Sequence, residues 1–214
     1  NIEQFLRRLS TGLYKISIQS LIDNIQKQIY DNIPQKELEQ LILSAAKEHI
    51  EKHYEYSLLA ARINIDTLYQ DILNVGLFET KLETTYQSKF KDYIKEGVEL
   101  NLLHPGLLDF DFKKISSALI PENDLLFHFL GVQILSDRYF IRNRDKIAAI
   151  IELPQWFWMR VAMGLALKED GKNKEKYAIE FYQILSKMDL VSSTPTLFNS
   201  GTQFSQMSSC YLNT

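Results

Sequence analysis

Ser193-Thr194-Pro195-Thr196-Leu197-Phe198-Asn199-Ser200-Gly201-Thr202, followed after three residues by Gln206-Met207-Ser208-Ser209-Cys210-Tyr211-Leu212, is where the character of this chain changes. The first run is dense in Ser, Thr, Pro, Asn and Gly, residues that favour turns. Gln206 to Leu212 reads as a short extended segment. Almost everything before it has helical periodicity, interrupted by only 8 glycines and 5 prolines. The expectation is a mainly α chain that passes from helices into a strand near its end.

Working outward, the helices can be followed one by one. Between Ser17 and Ile29, Ile18, Leu21, Ile22, Ile25 and Ile29 share one face. Asn32-Ile33-Pro34 punctuates the chain, and Pro34 suits the first turn of the next helix. Leu38, Leu41, Ile42, Ala45, Ala46 and His49 then form a stripe at helical spacing. A third helix holds Tyr56 to Ile63 and continues to about Ile72. Gly76 and the polar stretch Glu79 to Ser88 suggest a boundary. Short helices follow, separated by His104-Pro105-Gly106 and Ile120-Pro121-Glu122. Longer, aromatic-rich ones are expected over Asp124–Tyr139, Pro154–Lys168 and Lys172–Met188. Three regions result: a helical unit over 1–75, a helical domain over 76–190, and the start of something else over 191–214.

Composition narrows the function. The chain is 45% hydrophobic over 214 residues, enough to bury a core. Its net charge of −3, with basic residues scattered, gives no nucleic-acid footprint. No apolar run approaches the roughly 18 residues that would span a membrane. A single cysteine, Cys210, excludes an intrachain disulfide and fits a reducing, cytoplasmic compartment. The start at Asn1 lacks a methionine and a signal peptide, and the end stops inside the expected strand, so both ends read as cut.

The residues alone carry little chemistry. A lone cysteine is ordinarily a small buried hydrophobe. His49, His53, His104 and His128 show no metal-ligand spacing. No phosphate-binding glycine loop is present. Trp156, Phe157, Trp158 and Met159 could form a stacking platform, but at helical spacing they read as core.

The run from Thr194 to Cys210 closely resembles the motif at the first barrel strand of ribonucleotide reductase large subunits, class I-like. The resemblance extends upstream through Pro154-Gln155-Trp156-Phe157-Trp158-Met159-Arg160, through Asp124 to Tyr139, and to Tyr56–Ile63, which resembles the end of an ATP-cone. It is strongest over 124–212 and weakest before residue 50. It implies a helical N-terminal domain leading into the first strand of a ten-stranded α/β barrel. It also implies that Cys210 is one of two redox cysteines that reduce the ribose 2′ position after a thiyl radical, on a third cysteine, takes the 3′ hydrogen. The two sulfurs end as a disulfide, which a further thiol pair, from thioredoxin or glutaredoxin, reopens. Thr194 and Ser209 match positions that contact substrate. In a regular strand Ser209 and Cys210 would point to opposite faces, so Ser209 would act through its main chain or at an irregular strand end.

The remaining active-site groups of that family would lie beyond Thr214, so this segment alone is expected to be inactive. The resemblance implies as partners the rest of the large subunit, a second large subunit, a radical-generating small subunit that holds the metal, and ribonucleoside diphosphates. A class II, adenosylcobalamin-using relative is the close variant. ATP, dATP and dNTP effectors belong to the complete enzyme, and no cofactor is expected on this segment. Residues 1–75 read as a truncated or degenerate cone, because the basic, glycine-containing hairpin is missing. Gln35 and Glu39 stand where nucleotide contacts are usual, and Glu39 would repel a triphosphate. The competing reading is a non-catalytic helical regulatory or interaction module of the same ancestry.

Overall fold

The helical stripes above become ten α-helices among the described residues of the computed structural model, which are 2–143, 148–171 and 173–212. They divide into two compact units, Asn1–Leu82 with Leu125–Ile134, and Glu83–Asp124 with Leu135–Thr214.

The first unit is built on α4 (Glu55–Leu73), with α1 (Ile2–Leu9), α2 (Ile18–Gln26), α3 (Gln35–Lys47) and α7 (Phe129–Ile134). Ser17 begins α2 by accepting a hydrogen bond from the Ser20 amide, one of the donors a helix start leaves orphaned. Pro34 stands just before α3, with the extended ψ that ends a turn. The α3 stripe buries Ile42, Ala45, Ala46 and His49. The α2 stripe is shorter than expected. Leu21 and Ile25 are buried, but Ile29 lies past the helix end and is exposed.

Helix α4 is enclosed on nearly every side, so it shows little amphipathic contrast. Two buried charges on it have partners, although Arg62 Nε finds no acceptor among the described residues. Arg62 donates to the carbonyl oxygens of Leu9 and Thr11, and Asp66 accepts from the Leu77 amide and from Arg8. Asn74 ends α4 in the left-handed conformation, φ 54°.

The second unit holds α5 (Leu82–Glu99), α6 (Phe112–Ser117), α8 (Pro154–Leu165), α9 (Lys174–Ser186) and α10 (Thr194–Asn199). A two-stranded antiparallel ribbon, β1 (Arg142–Asn143) with β2 (Ala149–Ile150), precedes α8. The polar stretch 79–88, read as a boundary, contains the division between the units, after Leu82, and is mostly the first half of α5. Its polar residues form the wet face of a helix that buries Tyr86, Phe90, Tyr93 and Ile94 on the other. The expected helix Asp124–Tyr139 is broken into a 3-10 turn (Pro121–Leu126), α7 and a π-helical turn (Leu135–Tyr139). Lys172 lies outside the described residues, and α9 begins at Lys174.

Pro154 opens α8 at a position whose missing N–H costs no helix bond. Trp156, Phe157, Trp158 and Met159 are all buried, which makes them core rather than a stacking platform. Tyr93 stacks on Trp156, ring centroids 5.1 Å apart, and Tyr86 meets the same indole edge-on.

The last segment differs from expectation twice. Thr194–Asn199, read as turn, is a short helix with Pro195 in its first turn. Gln206–Leu212, read as a strand, belongs to no strand. A strand needs a neighbour to receive its ladder hydrogen bonds, and among the described residues this segment has none. The mainly α class holds.

Candidate active site

Thr194 opens α10, Ser209 and Cys210 follow on an irregular segment, and the turn between them is fixed by α8. Arg160 on α8 is fully buried and pairs with the equally buried Glu152, Nε to Oε1 2.6 Å. Its Nη2 reaches the other carboxylate oxygen at 3.2 Å, and its Nη1 donates to the main-chain oxygen of Ser200 at 2.6 Å. Glu152 also accepts from the Tyr93 hydroxyl and from the Ile141 amide. Burial by itself would lower the Arg160 pKa, but Glu152 and Tyr93 outweigh it, so the guanidinium is held charged. Burial, then the Glu152 charge, pushes the Tyr93 phenol well above its ordinary value.

The Ser200-Gly201 turn is tied down further. The Ser200 hydroxyl donates to the Val161 carbonyl oxygen at 2.7 Å. Gly201 adopts φ +73°, and a Cβ there would lie 2.7 Å from the Arg160 oxygen. Opposite it, a Cβ on Gly164 would run into the Gly201 nitrogen and the Ser200 side chain. Only two glycines allow α8 and this turn to come so close. The His104 amide donates to the Gly201 oxygen, Thr202 bridges to Leu103, and the Gln203 amide donates to the Leu102 oxygen.

From this root, the sequence-predicted residues project outward. Thr194 opens α10 and is exposed, its hydroxyl 3.5 Å from the Tyr139 hydroxyl. Tyr139 stacks on Phe198 of α10, centroids 4.3 Å apart. Past the turn the chain folds back. Asn199 Nδ2 donates to the Gln206 oxygen at 2.6 Å, and Thr196 Oγ1 donates to the Met207 oxygen at 3.4 Å. Cys210 follows three residues later as a free, exposed thiol. The Ser209 hydroxyl donates to its sulfur at 3.7 Å. Strand alternation therefore does not separate Ser209 from Cys210, because there is no strand. The described hydrogen bonds of Thr194 and Cys210 go to different partners, and the fold-back joins their segments.

Arg160, Ser200 and Asn199 fall within the runs that carry the resemblance, yet nothing local assigns them, or Glu152, a role. An arginine inside an apolar helix was the one available hint. A second buried network lies in the same unit. Gln155 donates to Asp124 at 2.7 Å, its backbone amide donates to the Tyr86 hydroxyl, and it accepts from Tyr182. Burial pushes the phenols of Tyr86 and Tyr182 upward.

In the first unit, Gln35 and Glu39 line a groove of about 570 Å³. Its ionisable lining is Arg8 with Glu39, Asp66 and Asp71. Burial raises the Asp66 pKa, against the lowering effect of the Leu77 amide and Arg8. The histidines stand apart. His49 is buried, one ring nitrogen 3.1 Å from the Ala45 oxygen and the other 3.1 Å from Ser20 Oγ. His104 caps the turn that follows it by accepting from the Gly106 amide. Among the described residues no three His, Cys, Asp or Glu side chains converge as a metal-ligand set, and no helix is long and apolar enough to cross a membrane.

A family model described as "Ribonucleotide reductase, all-alpha domain" matches residues 125–205. That range includes Thr194 and stops short of Ser209 and Cys210. Curated relatives extend the similarity in both directions. The ribonucleoside-diphosphate reductase subunit alpha of Chlamydia muridarum is 42% identical over 195 residues, covering 91% of this chain and 18% of the relative. That of Helicobacter pylori strain 26695 is 31% identical over 213 residues, 99% of this chain and 25% of the relative. The large chain from Schizosaccharomyces pombe is 31% identical over 191 residues, 87% of this chain and 22% of the relative. The chain thus spans about a fifth to a quarter of the length of these relatives. With its helical architecture and its anchored Thr194–Cys210 loop, it belongs to the ribonucleotide reductase large-subunit family.

Proposed function

We propose that this chain supplies part of the active site of a ribonucleoside-diphosphate reductase, with Cys210 as one of the two redox thiols. The observation that carries this reading is the loop itself. Its Ser200-Gly201 turn is buried and anchored by Arg160, while Thr194 on one side of the turn and Ser209 and Cys210 on the other are exposed. A thiol that must be oxidised and later attacked by another thiolate has to be reachable.

In the proposed reaction two thiols lose two hydrogens and join as a disulfide. The ribose C2′–OH bond breaks, a C2′–H bond forms, and the oxygen leaves as water. The 3′ radical only activates the sugar and is returned at the end. Cys210 is the sole cysteine of this sequence, so its disulfide partner and the thiyl cysteine come from the rest of the large subunit. Their Cα atoms would have to approach within roughly 4.4–6.8 Å. Thr194 and Ser209 offer hydroxyls that both donate and accept, which suits ribose and phosphate oxygens.

The complete assembly in this proposal includes a second large subunit, a small subunit whose metal centre generates the radical, and thioredoxin or glutaredoxin as reductant, in the cytoplasm. ATP, dATP and dNTP effectors would act on the complete enzyme. The groove of residues 1–75 is a poor triphosphate site, because three carboxylates face one arginine there. That supports reading this unit as a degenerate cone.

The test is Cys210→Ser in the complete enzyme. Turnover with thioredoxin should be lost while the thermal midpoint is retained. Normal turnover would refute the assignment and favour a non-catalytic module of reductase ancestry.

A further inference from the structure

The stretch between α10 and Cys210 is closed by side chains rather than by a strand ladder. Asn199, the last residue of α10, holds it from both directions. Its main-chain oxygen accepts from the Thr202 hydroxyl at 2.8 Å and the Thr202 amide at 3.1 Å, which sets the outgoing turn. Its side-chain amide donates to the Gln206 oxygen at 2.6 Å, which captures the returning segment. The neighbouring tie, Thr196 to the Met207 oxygen, is long at 3.4 Å. Beyond these two contacts the chain is exposed up to Cys210. The short Asn199 bond is therefore the main restraint on where the cysteine segment leaves α10, the helix that begins with Thr194.

We infer that Asn199 is a positioning residue: its amide fixes the height of the Cys210 segment against the Thr194 helix, so that the thiol and the substrate-contacting hydroxyl act on one ribose. This rests on the reading of Cys210 as a redox thiol. The side chain suits the role because an amide N–H₂ donates where a carboxylate of the same shape would repel the Gln206 oxygen. Asn199 is half-buried and sits at a loop, so removing its side chain leaves the core of the unit intact.

The experiment uses the full-length large subunit with its small subunit, a ribonucleoside diphosphate and the thioredoxin system, and compares Asn199→Ala, Asn199→Asp, Asn199→Gln and Cys210→Ser. Asn199→Ala is expected to lower kcat by roughly ten- to a hundredfold, the scale of a small misplacement of a reacting group, with KM nearly unchanged. Asn199→Asp should lose at least as much, and Asn199→Gln, which keeps a donor, should recover part of the rate. Native-state proteolysis should quicken within residues 204–212 of Asn199→Ala and stay unchanged elsewhere. A wild-type kcat, or unchanged proteolysis across 204–212, overturns the inference. So does a kcat loss that tracks a fall in Tm and is not restored by Asn199→Gln, because that marks a merely structural role. If Cys210→Ser is inactive while Asn199→Ala is normal, only the positioning role fails. If Cys210→Ser turns over normally, the site reading fails and this inference falls with it.

Discussion

Arg160 sits in the middle of an apolar helix with its guanidinium wholly enclosed, and each arm of the fork has an acceptor. The planar, permanently charged fork can hold the Glu152 carboxylate and the Ser200 oxygen at once, which an ammonium could not do with the same geometry. Arg160→Ala would leave the Glu152 charge buried without its counter-ion. It should cost about 3–5 kcal/mol of stability, read from the urea midpoint. Arg160→Lys should lose the hold on Ser200 and recover only part of that stability. Thr194 belongs to a different class of residue, being exposed and only loosely paired with Tyr139. Thr194→Ala should leave stability within about 0.5 kcal/mol. In the complete enzyme it should lower kcat/KM by the equivalent of about 1–3 kcal/mol, if its hydroxyl meets a substrate group that is then left unpaired. An unchanged kcat/KM would remove Thr194 from the site.

At the scale of elements, the approach of α8 to the Ser200-Gly201 turn decides where α10 and the cysteine segment go. Gly164→Ala forces a methyl group against main-chain atoms that cannot swing away. It should destabilise the second unit by about 1–3 kcal/mol, the usual range for overpacking. It should also reduce turnover of the complete enzyme by displacing the loop root. A variant with normal stability and normal turnover would show that the turn can retreat at no cost. The same scale explains two sequence readings. Stretch 79–88 reads as a boundary because its polar residues outnumber Leu82 and Tyr86; the units do divide there, and the same residues open α5, whose buried face recurs every three to four positions. Asp124–Tyr139 looks like one helix because its apolar residues recur at helical spacing. The chain there leaves one unit and enters the other, and the backbone changes from 3-10 to α to π on the way.

At the scale of the molecule, the second unit keeps several phenols out of water. Tyr86, Tyr93 and Tyr182 are all pushed upward from the ordinary phenol value of 10.0, by burial first and by nearby carboxylates after it. A raised folded pKa means that the folded state holds its proton more tightly than the unfolded state. The stabilisation is complete below pH 10.0 and is lost as the pH rises above it. The thermal midpoint should therefore decline above about that pH, and the phenolate absorbance of these tyrosines should appear together with unfolding. Gradual ionisation with no loss of structure would show that they are not sealed.

Sequence by itself determined the class and the kinship of this protein. Helical spacing is a local property, set by 3.6 residues per turn, so the stripes of α2 and α3 and the presence of α8 and α9 were legible, and so was the core role of Trp156 to Met159. The run Thr194 to Cys210 was legible as a motif because its residue types are unusual together. Tertiary structure decided the rest. Whether Gln206–Leu212 is a strand depends on a partner that no local pattern contains. That Leu125–Ile134 packs with the first unit, that Arg160 and Glu152 meet in the core, and that Gly164 faces Gly201 all depend on contacts between distant positions. A charge in a sequence is neutral evidence until its counter-ion is found, and only the folded chain brings the two together.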